Sequence, residues 1–156
     1  MARFPMTRRG WLAMKSELRD LKAERPKLSD LILAARELGD LSENADYHAA
    51  KERQGFLEGR ISELESKIAQ ADVIDPATLS GDRVVFGATI EVEEVDSGEA
   101  ATYQIVGEDE ADIKKGLLSI TSPVARGLIG HEVGDEVTVK VPGGTRVYEI
   151  VDVSFK

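Results

Sequence analysis

The chain has 156 residues, of which 42% are hydrophobic, 31% charged and 5% aromatic, with no cysteine. This is the composition of a soluble globular chain rather than a disordered one. Without cysteine there is no disulfide framework and no thiolate metal site, which fits a reducing cytoplasm. The formal net charge of −9 is uneven: residues 1–75 hold 13 Lys/Arg against 14 Asp/Glu, whereas residues 76–156 hold 7 against 15. The second half is therefore a poor match for nucleic acid, which selects basic surfaces, and a better match for a basic protein surface. The opening stretch MARFPMTRRGW lacks the apolar segment of a signal peptide. No apolar run approaches the roughly 20 residues of a membrane span, so the expected location is the cytoplasm.

From Trp11 the apolar positions recur in steps of three and four: Trp11, Met14, Leu18, Leu21, then Arg25, then Leu28, Ile32 and Ala35. This is a heptad seam, interrupted at Arg25 and followed by Pro26. A proline inside a helix removes a hydrogen bond and bends the axis. The pattern predicts one long bent helix, N-capped by Thr7 and ending near Leu38, with Gly39 just past its C-terminus. A second seam runs Tyr47, Ala50, Gln54, Leu57, Ile61, Leu64, Ile68 and Ala71, and Asp75-Pro76 ends it. Gly55 and Gly59 lie inside it and weaken the helix by about 1 kcal/mol each relative to Ala. Only a few residues separate the seams, so the helices are antiparallel neighbours. Residues 1–75 thus read as a coiled-coil hairpin, an arm of roughly 48 Å at about 1.5 Å per residue.

After Pro76 the period changes to two. RVVFGATIEVEEV and EVTVKV alternate, LLSIT and RVYEIVDVSF add strands, and DSGE at 96–99 and PGG at 142–144 are hairpin turns. SPVARGLIG at 122–130 predicts a short helix with Ser122 as N-cap and Pro123 at its first position. Residues 76–156 are therefore a separate small antiparallel-sheet domain, and the fold class is α+β.

The hairpin's tip is GDLSENADY, residues 39–47, with three carboxylates, Asp40, Glu43 and Asp46, in seven positions. Two readings compete. Acidic residues at a helix start complement its macrodipole, and Asp40 or Ser42 can cap free N–H groups. Alternatively, Asp40 and Glu43, three apart in a turn, meet at one Mg²⁺, an ion commonly held by one or two protein carboxylates plus phosphate oxygens and water. Such a pair is a half-site that a partner completes. In two-metal phosphodiester cleavage the second ion activates water and stabilises developing charge.

PMTRRG, ARELGDLSENADYHAAKERQGF, FGATIEV, VGEDEAD and ITSPVARGLIG resemble, in the same order and over nearly the whole chain, the bacterial Gre transcript-cleavage factors, the GreA type more than the GreB type. The resemblance implies an N-terminal coiled-coil hairpin joined to an FKBP-like domain. It implies a hairpin that enters the secondary channel of RNA polymerase and stimulates the polymerase's own cleavage of backtracked RNA, so the chain is not an enzyme by itself. It assigns Asp40 and Glu43 to the second Mg²⁺, which is shared with the polymerase and not bound tightly by the free protein. Arg36 and Lys51 match a small basic patch near the 3′ segment of the nascent RNA, with ion pairs to Glu37 or Glu52 as the competing expectation. Ser122 and Pro123 match a contact with the polymerase at the channel rim. Asp46 stands where relatives often have Glu, Ser42 where some have Lys, and Lys51 where some have Arg.

Tyr47 begins the second seam and is expected to pack. His48 and His131 are lone imidazoles, poor metal signals. GEDEAD at 107–112 lacks EF-hand spacing and reads as acidic surface. Two rivals remain: a secondary-channel inhibitor that does not promote cleavage, against which the tip motif argues, and a structural coiled-coil protein that self-associates. An intramolecular hairpin predicts a monomer.

Overall fold

The computed structural model describes residues 3–39 and 44–156. The described residues form two compact units, Trp11–Ala71 and residues 3–10 together with residues 72–156. The division thus falls at Ala71, not at the expected 75/76 step, and the N-terminal strand belongs with the second unit.

In the first unit, helices α1 (Arg8–Arg36) and α2 (Ala45–Gln70) carry the two seams. Thr7 caps α1 as expected, its Oγ1 accepting from the N–H of Gly10 at 3.2 Å. α1 runs through Pro26 as a single helix. Leu28, Ile32, Leu57 and Ile61 form a buried cluster, with Leu18, Leu21, Tyr47 and Ala50 packed against it. Full burial of such a side chain stabilises by about 1.5–3 kcal/mol, enough to hold the pair across the proline. Arg25, which the spacing put on the seam, lies outside it and forks onto Glu58 at 2.8 and 2.7 Å. Its charge reaches water from that position, which a seam position would deny it.

The register is marked by two further forks. Arg60 bonds both oxygens of Glu17 at 2.7 and 2.9 Å, and Arg53 both oxygens of Glu24 at 2.7 Å. Glu17 to Glu24 and Arg60 to Arg53 are each one heptad, in opposite directions along the chain, as an antiparallel pair requires. Exposed pairs add little stability; their value here is geometric.

α2 ends at Gln70, before the expected Asp75-Pro76 stop, because the chain turns to strand β2 (Ala71–Ile74), which pairs with β1 (Phe4–Thr7). Asp75 then caps a short 3-10 turn, its side chain accepting from the N–H of Ala77. The main sheet comprises β3 (Thr89–Glu94), β4 (Ala100–Val106), β5 (Leu117–Ser119), β6 (Glu136–Val141) and β7 (Gly144–Ser154), in the order β5-β4-β3-β7-β6. Every pairing is antiparallel except β4 with β5, so the expected antiparallel sheet carries one parallel edge. The two predicted turns join β3 to β4 and β6 to β7. Val84, Ile90, Val92, Ile105, Leu128 and Ile150 are fully buried, with Leu128 supplied by helix α3 (Pro123–Leu128).

Candidate functional site

The hairpin end is built by α1 and α2, and the Asn44 side chain bridges them. Asn44 is the N-cap of α2: its Oδ1 accepts from the N–H of Tyr47 at 3.0 Å. Its Nδ2 donates to the carbonyl of Ala35, in the last turn of α1, at 2.5 Å. That carbonyl also accepts from the N–H of Leu38 at 3.2 Å, and Gly39 turns the chain with φ +119°. A residue with a Cβ is strained at that φ. Asn44 is thus the observed cap of α2; Asp40 and Ser42, the expected caps, lie outside the described residues. The signal was present: Asn is among the best N-cap residues. The nearby Asp and Ser competed for the same role.

Asp40 and Glu43, and Ser42 between them, lie outside the described residues. Asp46 is in the first turn of α2 and exposed, where a negative charge faces the positive end of the helix.

Arg36, the last residue of α1, lies over the ring of Tyr47, its guanidinium carbon 5.9 Å from the centroid. This is cation–π distance. Lys51 donates to Gln54 at 3.0 Å and stands four residues on from Tyr47, on the same helical face. Among the described residues neither cation pairs with Glu37 or Glu52, the competing expectation. Tyr47 packs against the hairpin core as expected and meets His48 edge-on at 5.7 Å.

In the second unit Ser122 caps α3. Its Oγ accepts from the N–H of Ala125 at 3.2 Å and donates to the carbonyl of Ser119 at 2.7 Å. Pro123 follows at the first helical position, exposed. The hydroxyl is engaged in fixing the turn, and the proline ring is what the turn shows to solvent.

The acidic segment 107–112 is more than surface. Glu110 Oε2 accepts from the N–H of Thr7 and from the N–H of Gly107, both at 2.9 Å, and Oε1 accepts from the Thr7 hydroxyl. This carboxylate lies against Gly10, where a Cβ would collide with it. Glu110 thus holds the junction of β1 and α1, while Glu108 and Asp109 stay exposed. On the sheet, exposed Glu93, Glu149 and Glu136 lie directly opposite one another on β3, β7 and β6. Such a like-charge row disfavours the sheet slightly and accounts for part of the negative charge of this half.

The arginine forks hold Glu17, Glu24 and Glu58 below the ordinary carboxylate value, through hydrogen bonds from Arg60, Arg53 and Arg25 respectively. Asp135 is lowered by the N–H of Glu132 first and by His131 second. His131 is exposed, 3.4 Å from Asp135. Among the described residues no group of three or more His, Asp or Glu could hold a metal ion, and no helix is long and apolar enough to cross a membrane.

Two family models match. "Transcription elongation factor, N-terminal" covers residues 4–73, and "Transcription elongation factor, GreA/GreB, C-term" covers residues 79–155. The chain is 56% identical over 157 residues to the transcription elongation factor GreA of Hyphomonas neptunium, covering 100% of each. It is 59% identical over 157 residues to that of Ralstonia nicotianae, covering 99% of each. Among solved structures, the GreA factor homolog 1 (Gfh1) protein of Thermus thermophilus is 25% identical, with 97% of this chain and 98% of that one covered, at a TM-score of 0.44.

Proposed function

The chain belongs to the GreA/GreB family of transcription elongation factors, and from that premise we propose that it enters the secondary channel of RNA polymerase by its hairpin and stimulates the polymerase's own cleavage of backtracked RNA. The chain is then a factor that completes another protein's active site and is not itself an enzyme. The observation that best supports this reading is the Asn44 clamp. It joins the Ala35 carbonyl to the Tyr47 N–H and so pins both ends of the segment that carries Asp40 and Glu43.

The donor set fits the ion. Carboxylate oxygens are the hard ligands Mg²⁺ takes, and one or two protein carboxylates are its usual share when phosphate and water complete the octahedron. Asp40 and Glu43 would hold the second Mg²⁺ jointly with the polymerase. Such an ion supplies an activated water and offsets developing negative charge.

The remaining roles follow from what the other side chains touch. Arg36, oriented by the Tyr47 ring, and Lys51 contribute positive charge toward the RNA 3′ segment; the arginine can fork onto a phosphate and the lysine acts as a point charge. Ser122 and Pro123 present a fixed turn to the channel rim. The hairpin buries its apolar seam within one chain, which supports a monomer.

The test is RNA cleavage in stalled elongation complexes. The wild-type chain should accelerate it, while Asp40→Ala and Glu43→Ala should lose the acceleration yet still bind polymerase. Near-normal cleavage by either variant at saturation would sink the reading, and binding by wild type without any cleavage would indicate an inhibitor. Bulky charged substitutions at Ser122 and Pro123 should weaken binding with an unchanged circular dichroism spectrum.

A further inference from the structure

Two sets of cations on the hairpin contrast. Arg25, Arg53 and Arg60 each fork onto a glutamate of the facing helix at 2.7–2.9 Å. Lys15, Arg19 and Lys22 do not. They recur on α1 at i, i+4 and i+7, which puts them on one stripe. Together they line a groove of about 290 Å³ whose apolar residues are Leu18 of α1 and Ile68 of α2. Lys15 Nζ stands over the Trp11 ring at 4.3 Å, Arg19 donates to the Ser16 hydroxyl at 3.4 Å, and Lys22 reaches Glu65 at 3.8 Å, a longer contact than the forks. All three are exposed, and none is forked onto a carboxylate as Arg25, Arg53 and Arg60 are.

We propose that this groove, at the end of the hairpin remote from Gly39, docks an acidic amphipathic helix of RNA polymerase; the proposal rests on the reading that polymerase is the partner. Charge complementarity sets the sign of the occupant. The spacing sets its form: three cations one helical turn apart match carboxylates at i, i+4 and i+7 on a facing helix. The apolar pair Leu18 and Ile68 distinguishes a protein from a nucleic acid. A leucine or valine between those carboxylates would cover it, whereas a phosphodiester chain offers nothing apolar there. Single-stranded bases would need an aromatic face to stack on, and the face of Trp11 already carries Lys15.

The test measures binding to core polymerase free of nucleic acid, over a salt series, for wild type and for the triple variants Lys15→Glu/Arg19→Glu/Lys22→Glu and Lys15→Gln/Arg19→Gln/Lys22→Gln. Far-UV circular dichroism controls for folding, and the glutamine set avoids added repulsion. The expected result is weaker binding at low salt, on the order of tenfold for charge reversal and less for neutralisation, with a flatter salt dependence, as rim charges that steer association give. If wild type binds and both variants match its affinity and salt slope, this proposal falls while the polymerase reading stands. If the variants differ only in complexes that contain RNA, the stripe reads RNA and the proposal is overturned. If wild type itself fails to bind, the polymerase reading falls and takes this proposal with it.

Discussion

Asn44 donates to the carbonyl of Ala35 at 2.5 Å, nine residues back along the chain, and so ties the first turn of α2 to the last turn of α1. The same side chain caps α2 through Tyr47. The two bonds separate by substitution. Asn44→Asp keeps the acceptor for Tyr47 and loses the donor to Ala35; Asn44→Ala loses both. Asn44→Ala should cost about 1–2 kcal/mol in urea unfolding, the usual range for a lost N-cap, and Asn44→Asp less. Both should lower stimulated cleavage with little change in polymerase affinity. Full cleavage by Asn44→Ala would mean that the clamp does not position the tip.

Glu110 offers a second separable contact. It serves the Thr7 N–H, the Thr7 hydroxyl and the Gly107 N–H, and hydrogen bonds to a charged group are each worth about 1.5–3 kcal/mol. Glu110→Ala should lower the thermal midpoint, and so should Thr7→Val, which removes one of the three donors together with the cap on Gly10. Gly10→Ala should also destabilise, because its Cβ would meet the Glu110 carboxylate. In the Glu110→Ala background that penalty should vanish. Additive losses in the double variant would show that the two residues do not share one site.

The hairpin should be acid-sensitive. Glu17, Glu24 and Glu58 are held below the usual 4.5 by their arginines. A carboxylate lowered in the folded state contributes stability above its unfolded value and loses it as pH falls through its folded value. Helix content followed by circular dichroism should therefore be flat near neutrality and begin to fall below about pH 4.5. The triple glutamine variant should be less stable than wild type near neutrality and show a weaker acid dependence. An identical acid profile in that variant would remove the forks from the account.

The seams were legible because a buried stripe imposes a period: Leu28, Ile32, Leu57 and Ile61 are buried where the three-four spacing put them. Ser122 was legible because its cap partner lies three residues away, as was Thr7 for the same reason. Glu110 was not, since its Thr7 donors lie 103 positions distant and nothing local marks the pairing. β2 was hidden for a related reason: Ala71 continues the helical spacing, and only pairing with β1 converts the segment to strand. The parallel edge at β5 likewise depends on a crossover that strand alternation does not encode.

The most direct measurement is cleavage rate in stalled complexes titrated with Mg²⁺, for wild type and Glu43→Gln at saturating factor. Two carboxylates lack the ligands for a tight site, so the free chain should bind Mg²⁺ only weakly, on the order of millimolar, and naked RNA should remain intact. In the complex, wild type should lower the Mg²⁺ midpoint relative to Glu43→Gln, because the carboxylate raises occupancy of the second position. Curves that share one midpoint and differ only in plateau would contradict metal recruitment. Glu43 would then act on the attacking water as a general base.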